Sequence, residues 1–145
     1  MTVELGLTSD GSWDIGTAEL IEAARAAGFS ALGVGVGRAD RDAALAYREA
    51  GLQCHELMAL MVSDNEDRTL DSARQLAAGA AAIGARWVLT VFRTGLNPDS
   101  AKLIHRCASM FAEAGAGMAV EFSPLGPVNS IRHGLDVVAA AGDGQ

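Results

Sequence analysis

The chain has 145 residues, a mass of 14.9 kDa, 50% hydrophobic and 20% charged residues, and a net charge of −7. This fits one folded domain over residues 1–145 and excludes a disordered tail. Lys102 is the single lysine and no basic stripe exists, which argues against nucleic-acid binding, and no apolar run reaches the roughly 18 residues of a membrane span.

The opening Met1-Thr2-Val3-Glu4 lacks the basic region of a signal peptide. Cys54 and Cys107 are too few for a disulfide framework and read as reduced thiols of a cytoplasmic protein. Residues 3–7 form a short apolar run, the first predicted strand. Thr17 then precedes a helical pattern that ends in Ala-Ala-Gly28. A second strand is predicted over 31–36, and Asp40 precedes a second helix ending in Glu-Ala-Gly51. A third strand spans 53–61, and Thr69 marks the next helix start, before Ala-Ile-Gly84. Strand four covers 87–92, and Asn97-Pro98 opens a helix that closes in Glu-Ala-Gly115. Strand five covers 118–122, and Asn129 or Ser130 caps a last helix that ends in Ala-Ala-Gly142.

Each glycine sits where a helix ends and accepts the left-handed conformation that closes it. Strands alternating with helices imply an α/β fold with a parallel sheet and right-handed crossovers. The glycines recur at intervals of 23, 33, 31 and 27 residues, a mean of 28.5. Eight such units make about 228 residues, close to a (β/α)8 barrel. The expectation is therefore a (β/α)8 TIM barrel truncated to about five βα units. Gly142 then announces a sixth strand where Asp143-Gly144-Gln145 stand. The competing reading is a five-strand domain of the receiver or flavodoxin type. It lacks the phosphate-holding lysine, since the pair after strand five is Ser123-Pro124.

Parallel α/β folds place chemistry at the C-terminal strand ends. Those ends carry Thr8, Ser9 and Asp10; Gly37 and Arg38; Ser63 and Asp64; Phe92 and Arg93; and Glu121 with Ser123. Glu121 interrupts an apolar strand. If Val120 and Phe122 face the helices, Glu121 faces the barrel mouth, where a divalent metal would partner it. The alternative is a glutamate reaching solvent from a strand-end loop, and the residues alone leave both open. Arg38 and Arg93 offer guanidinium groups to a sugar hydroxyl, carboxylate or phosphate, against the plainer role of solvated loop arginines. Trp13 offers a stacking face, or simple loop packing. Trp87 is expected in the core. Gly35-x-Gly37-x-x-Asp40 lacks the third glycine of a dinucleotide fingerprint, and inward-facing Gly33 and Gly35 leave room in a barrel interior. His55, His105 and His133 show no metal-ligand spacing.

Val120-Glu121-Phe122-Ser123-Pro124-Leu125-Gly126-Pro127-Val128 resembles the fifth-strand motif of the xylose isomerase-like TIM-barrel family of sugar isomerases, epimerases and inosose dehydratases. Glu22-Ala-Ala-Arg-Ala-Ala-Gly28-Phe-Ser-Ala-Leu-Gly and Ala81-Ala-Ile-Gly84-Ala-Arg-Trp-Val-Leu are similar to its first and third helices with the strands that follow. The resemblance implies a metal-dependent isomerase or epimerase that acts on a sugar, cyclitol or polyol through an enediolate. It makes Glu121 the first of four ligands for manganese, magnesium or cobalt, and a catalytic carboxylate. It implies that the other ligands follow residue 145, so that the chain alone binds metal weakly and is inactive. Two unpaired edge strands then point to a homo-oligomer or a complementing fragment. A non-catalytic half-barrel that joins another chain is the other class.

Overall fold

The computed structural model describes residues 4–142. Val3, the first residue of the expected first strand, and Asp143-Gly144-Gln145 lie outside the described residues. The elements alternate as expected. They are β1 (Gly6–Thr8), α1 (Thr17–Ala26), β2 (Ala31–Gly35), α2 (Arg41–Ala50), β3 (Glu56–Val62) and α3 (Glu66–Ile83), then β4 (Trp87–Phe92), α4 (Pro98–Glu113), β5 (Gly117–Val120) and α5 (Ile131–Ala141). A short 3-10 turn, Val36–Arg38, follows β2 and takes the last residue of the expected second strand.

All strands pair in parallel, in the order β1-β2-β3-β4-β5. Sequential order with right-handed crossovers keeps every helix on one face of the sheet. A receiver or flavodoxin domain instead has the order 2-1-3-4-5 and helices on both faces. The strand order therefore overturns the receiver reading.

The helix boundaries follow from their caps. The Asp40 carboxylate accepts from the Ala43 N–H, and the Ser130 hydroxyl from the His133 N–H. Asn97 and Ser100 form a reciprocal capping box with Pro98 at the first helical position. In α3 the cap is Asn65, not Thr69, so the helix starts four residues before Leu70. Thr69 lies buried inside the first turns, where its hydroxyl donates to the Asn65 carbonyl. Gly28, Gly51, Gly84, Gly115 and Gly142 all have positive φ, as the repeating helix-end pattern requires.

The core lies between sheet and helices. Leu32 and Val34 of β2, Leu57, Leu60 and Val62 of β3, and Val88 and Thr90 of β4 face it. Leu57 and Leu60 both face the helices because the β3–β4 register shifts between them. Cys54 and Cys107 are buried free thiols, and burial pushes each up to about 11, so neither is a ready nucleophile at neutral pH.

Helix α3 meets the sheet through small residues, but only part of the alanine run takes part. Gly79 and Ala80 are buried, whereas Ala78, Ala81 and Ala82 are exposed. A Cβ on Gly79 would stand 3.0 Å from the Ala39 Cβ and 3.1 Å from the Leu57 Cδ2. Replacing Ala80 with leucine is therefore expected to overpack the layer and cost about 1–3 kcal/mol. The same change at Ala81 should be close to neutral. Urea unfolding of the two variants tests this, and equal midpoints would contradict the close approach.

Candidate functional site

The concave face of the sheet is the face the helices leave open. Its side chains follow from register and alternation. Val120 pairs with Thr90, which is buried under the helices, and a Cβ on Gly134 of α5 would stand 4.0 Å from Val120 and 3.8 Å from Phe122. Both side chains therefore face α5. Glu121, between them, faces the concave side at the C-terminal end of β5. The assigned strand stops at Val120, yet the Glu121 N–H still donates to the Thr90 carbonyl at 2.9 Å, so the ladder holds the residue in place. By the same alternation Val91 of β4 lies beside it and Met61 of β3 beyond Val91, and the two form an apolar floor.

Arg93 stands two residues beyond Val91. Its N–H donates to the Val62 carbonyl at 2.8 Å, which fixes its backbone at the rim. Its exposed guanidinium makes no hydrogen bond or ion pair among the described residues. Ser63 is tied to the start of α3, where its N–H donates to the Thr69 hydroxyl at 3.3 Å.

Arg38 and Trp13 serve the β1–α1 loop. The Arg38 guanidinium donates to the Ile15 carbonyl at 2.8 Å and the Trp13 carbonyl at 3.1 Å. These bonds anchor the guanidinium to the loop backbone through Nη1 and Nη2. Trp13 lines an apolar cleft with Leu7, Ile15, Leu20, Ala23 and Ala27, on the helical side of β1. The structure thus brings Glu121 and Arg93 to neighbouring strand ends and sets Arg38 and Trp13 around the β1–α1 loop. Asp10, at the same end of β1, is held below the usual carboxylate range by the Ser12 N–H that it accepts at 2.8 Å.

A second polar group lies lower on the concave face, and the sequence reading missed it. The Thr8 hydroxyl donates to Glu56 Oε1 at 2.5 Å, and His55 Nε2 stands 3.5 Å from the same oxygen. His55 Nδ1 is buried without a hydrogen-bond partner among the described residues. Gly33 makes the space, since a Cβ there would lie 2.6 Å from the Glu56 Cγ. Trp87 stands opposite Glu56 in register, and its ring covers Gly117, where a Cβ would lie 2.2 Å away. Trp87 is thus a concave-face residue, 37% exposed, and not part of the core. The signal in the sequence was the His-Glu pair that precedes the apolar part of β3, set against glycines on β1 and β2.

A carboxylate such as Glu121 is suitable chemistry for a hard divalent cation. Among the described residues, however, no three His, Cys, Asp or Glu side chains converge on a point that would hold a metal. The described residues supply one ligand and not a closed site.

No protein-family model and no curated protein matches the chain. Solved structures do. A xylose isomerase domain containing protein from Salmonella typhimurium LT2 is 14% identical with a TM-score of 0.76, over 94% of this chain and 56% of that one. The 3-keto-D-glucoside 4-epimerase YcjR from E. coli, in its apo form, is 12% identical with a TM-score of 0.73, over 97% and 65%. The IolI protein, with a bound zinc atom, is 12% identical with a TM-score of 0.73, over 96% and 59%. The chain has the fold of five consecutive βα units of the xylose isomerase-like TIM barrel. It spans 56% to 65% of the length of these three structures. No helix among the described residues is long and apolar enough to cross a membrane.

Proposed function

We propose that the chain is the strand-one to strand-five part of a divalent-metal-dependent isomerase or epimerase acting on a sugar, cyclitol or related polyol. The observation that carries this reading is Glu121. It is a carboxylate at the C-terminal end of the fifth parallel strand, aimed at the open concave face and without a partner among the described residues. The names of the similar structures support the same class, through a sugar epimerase and a zinc-bound protein. In this reading Glu121 is one ligand, and the remaining ligands come from polypeptide outside the 145 residues.

Such a cation, when bound, would polarise the carbonyl of an α-hydroxy-carbonyl substrate and so ease removal of the proton from the neighbouring hydroxyl-bearing carbon. Glu121 would offer its carboxylate to the cation and to that proton. Arg93, free at the neighbouring strand end, would donate to a substrate oxygen. Met61 and Val91 would keep the floor of the site apolar. Arg38 would keep its place against the Ile15 and Trp13 carbonyls of the β1–α1 loop, and the half-exposed Trp13 ring is left without a role in this reading.

Paramagnetic line broadening tests the ligand role without requiring turnover. Manganese added to the 15N-labelled chain should broaden amides around Glu121, Val91 and Met61 first, with a dissociation constant on the order of 1 mM, as expected for few ligands. Glu121→Gln should abolish the selective broadening and leave the spectrum otherwise intact. Broadening that is unchanged in that variant, or centred on Glu56, would overturn the assignment.

A further inference from the structure

The Thr8–Glu56 pair has no part in the proposed proton transfer, yet several features of the sheet converge to form it. Ala31 pairs with Gln53 and Val34 with Leu57, so β3 carries one residue more than β2 over this stretch. Such a bulge turns His55 and Glu56, consecutive in the chain, toward the same concave side. Gly33 on β2 leaves the gap through which Glu56 reaches across to β1. His55 lies below, against Gly6, and Thr8 stands above, exposed at the C-terminal end of β1.

Barrel geometry sets Thr8 opposite Glu121. The row that starts at Thr8 and Gly33 continues beside Glu56 to Trp87 and Gly117. In an eight-stranded barrel with a shear of eight, such a row drifts by about one residue per strand. Over the steps from β1 to β5 the drift is about four residues. Glu121 stands that far beyond Gly117. Thr8 and Glu121 therefore share one layer, which alternate strands supply, and face each other across the mouth.

The hydrogen bond at 2.5 Å runs from the Thr8 hydroxyl to Glu56 Oε1. It commits the single hydroxyl proton of Thr8 and leaves that oxygen with lone pairs only. The carboxylate behind it also only accepts. This wall suits a donor and presents negative charge to an anion. We infer that Thr8 accepts a hydrogen bond from a hydroxyl at the end of the substrate farther from the cation, and that Glu56 turns away a phosphate or carboxylate at that end. Thr8 is the contact and Glu56 the positioning residue. The inference rests on the sugar-enzyme reading and narrows its substrate to an uncharged sugar or polyol.

Titration of the 15N-labelled, metal-free chain with glucose and with glucose 6-phosphate tests it, because both side chains of the pair lie within the described residues. Glucose should shift the amides of Thr8, Ser9 and Gly33 saturably, and the phosphate ester should bind there about tenfold more weakly. Thr8→Val keeps the shape of the side chain and should weaken glucose about fivefold, whereas Thr8→Ser should not. In Glu56→Gln the charge is gone and the new amide is able to donate to Thr8, so the preference for glucose over its phosphate should vanish. An absence of saturable shifts, equal affinity for the two sugars in the wild-type chain, or glucose binding indifferent to Thr8→Val would each overturn the inference. Selective manganese broadening around Glu121 without these shifts would sink it and leave the sugar-enzyme reading standing. The shifts without the broadening would remove the cation and keep the hydroxyl contact.

Discussion

Replacing Phe111 with alanine is expected to cost about 3–5 kcal/mol, the largest loss from any single truncation in this chain. Phe111 is among the largest fully buried side chains, and it closes a row on α4 with Leu103, Ile104 and Cys107. That row is the buried apolar face of α4. The ring also lies at the turn that ends the helix, where the Phe111 carbonyl accepts from the Ala116 N–H at 2.9 Å. Truncation would therefore open a cavity and loosen the entry to β5, the strand that carries Glu121. A loss of that size is a large share of the roughly 5–15 kcal/mol that a domain has in total. Urea unfolding of Phe111→Ala measures it, with Leu125→Ala as a control, because Leu125 is 100% exposed. A difference between the two below about 1 kcal/mol would mean that α4 is not seated as described.

Much of the architecture was legible because it is written locally. Glycine with positive φ closes a helix whatever surrounds it, so the five glycine endings marked the units in order. Asp40 and Asn97 were readable as caps for the same reason, since the cap bond spans only three residues. The start of α3 was misplaced because Thr69 looks like a cap and is instead a buried hydroxyl bonded back to Asn65. Two candidates can share one sequence signature, and only the packing decides between them. The site was legible in part. Strand alternation around Glu121 follows from Val120 and Phe122 alone. The roles of Arg38 and Trp13 do not, because the carbonyls that claim Arg38 lie 23 and 25 residues away in the chain. The Thr8–Glu56–His55 group was invisible for the same reason, as it joins β1 to β3 across β2. The strand order that separates a barrel sheet from a receiver sheet is also a non-local property, and the repeat length hinted at it only through the number of units.

Gly33→Val is expected to cost about 3 kcal/mol, at the upper end for overpacking, even though valine is a better strand residue than glycine. Gly33 is fully enclosed on the concave side by its neighbours on β3. A Cβ there would lie 2.6 Å from the Glu56 Cγ, 3.0 Å from Glu56 Oε1 and 3.2 Å from the His55 ring. The Glu56 side chain would have to leave, and with it the hydrogen bond from Thr8 that spans the β1–β3 gap. Glycine at this position thus makes room for a specific carboxylate and does not simply hollow out the interior. That distinction makes the prediction sharp, because the strain should depend on Glu56. In a double-mutant cycle, Glu56→Ala should remove most of the penalty of Gly33→Val, with a coupling of about 1–2 kcal/mol. Additive effects in urea unfolding would show that the valine is resisted by the backbone, and that Glu56 does not occupy the space Gly33 leaves.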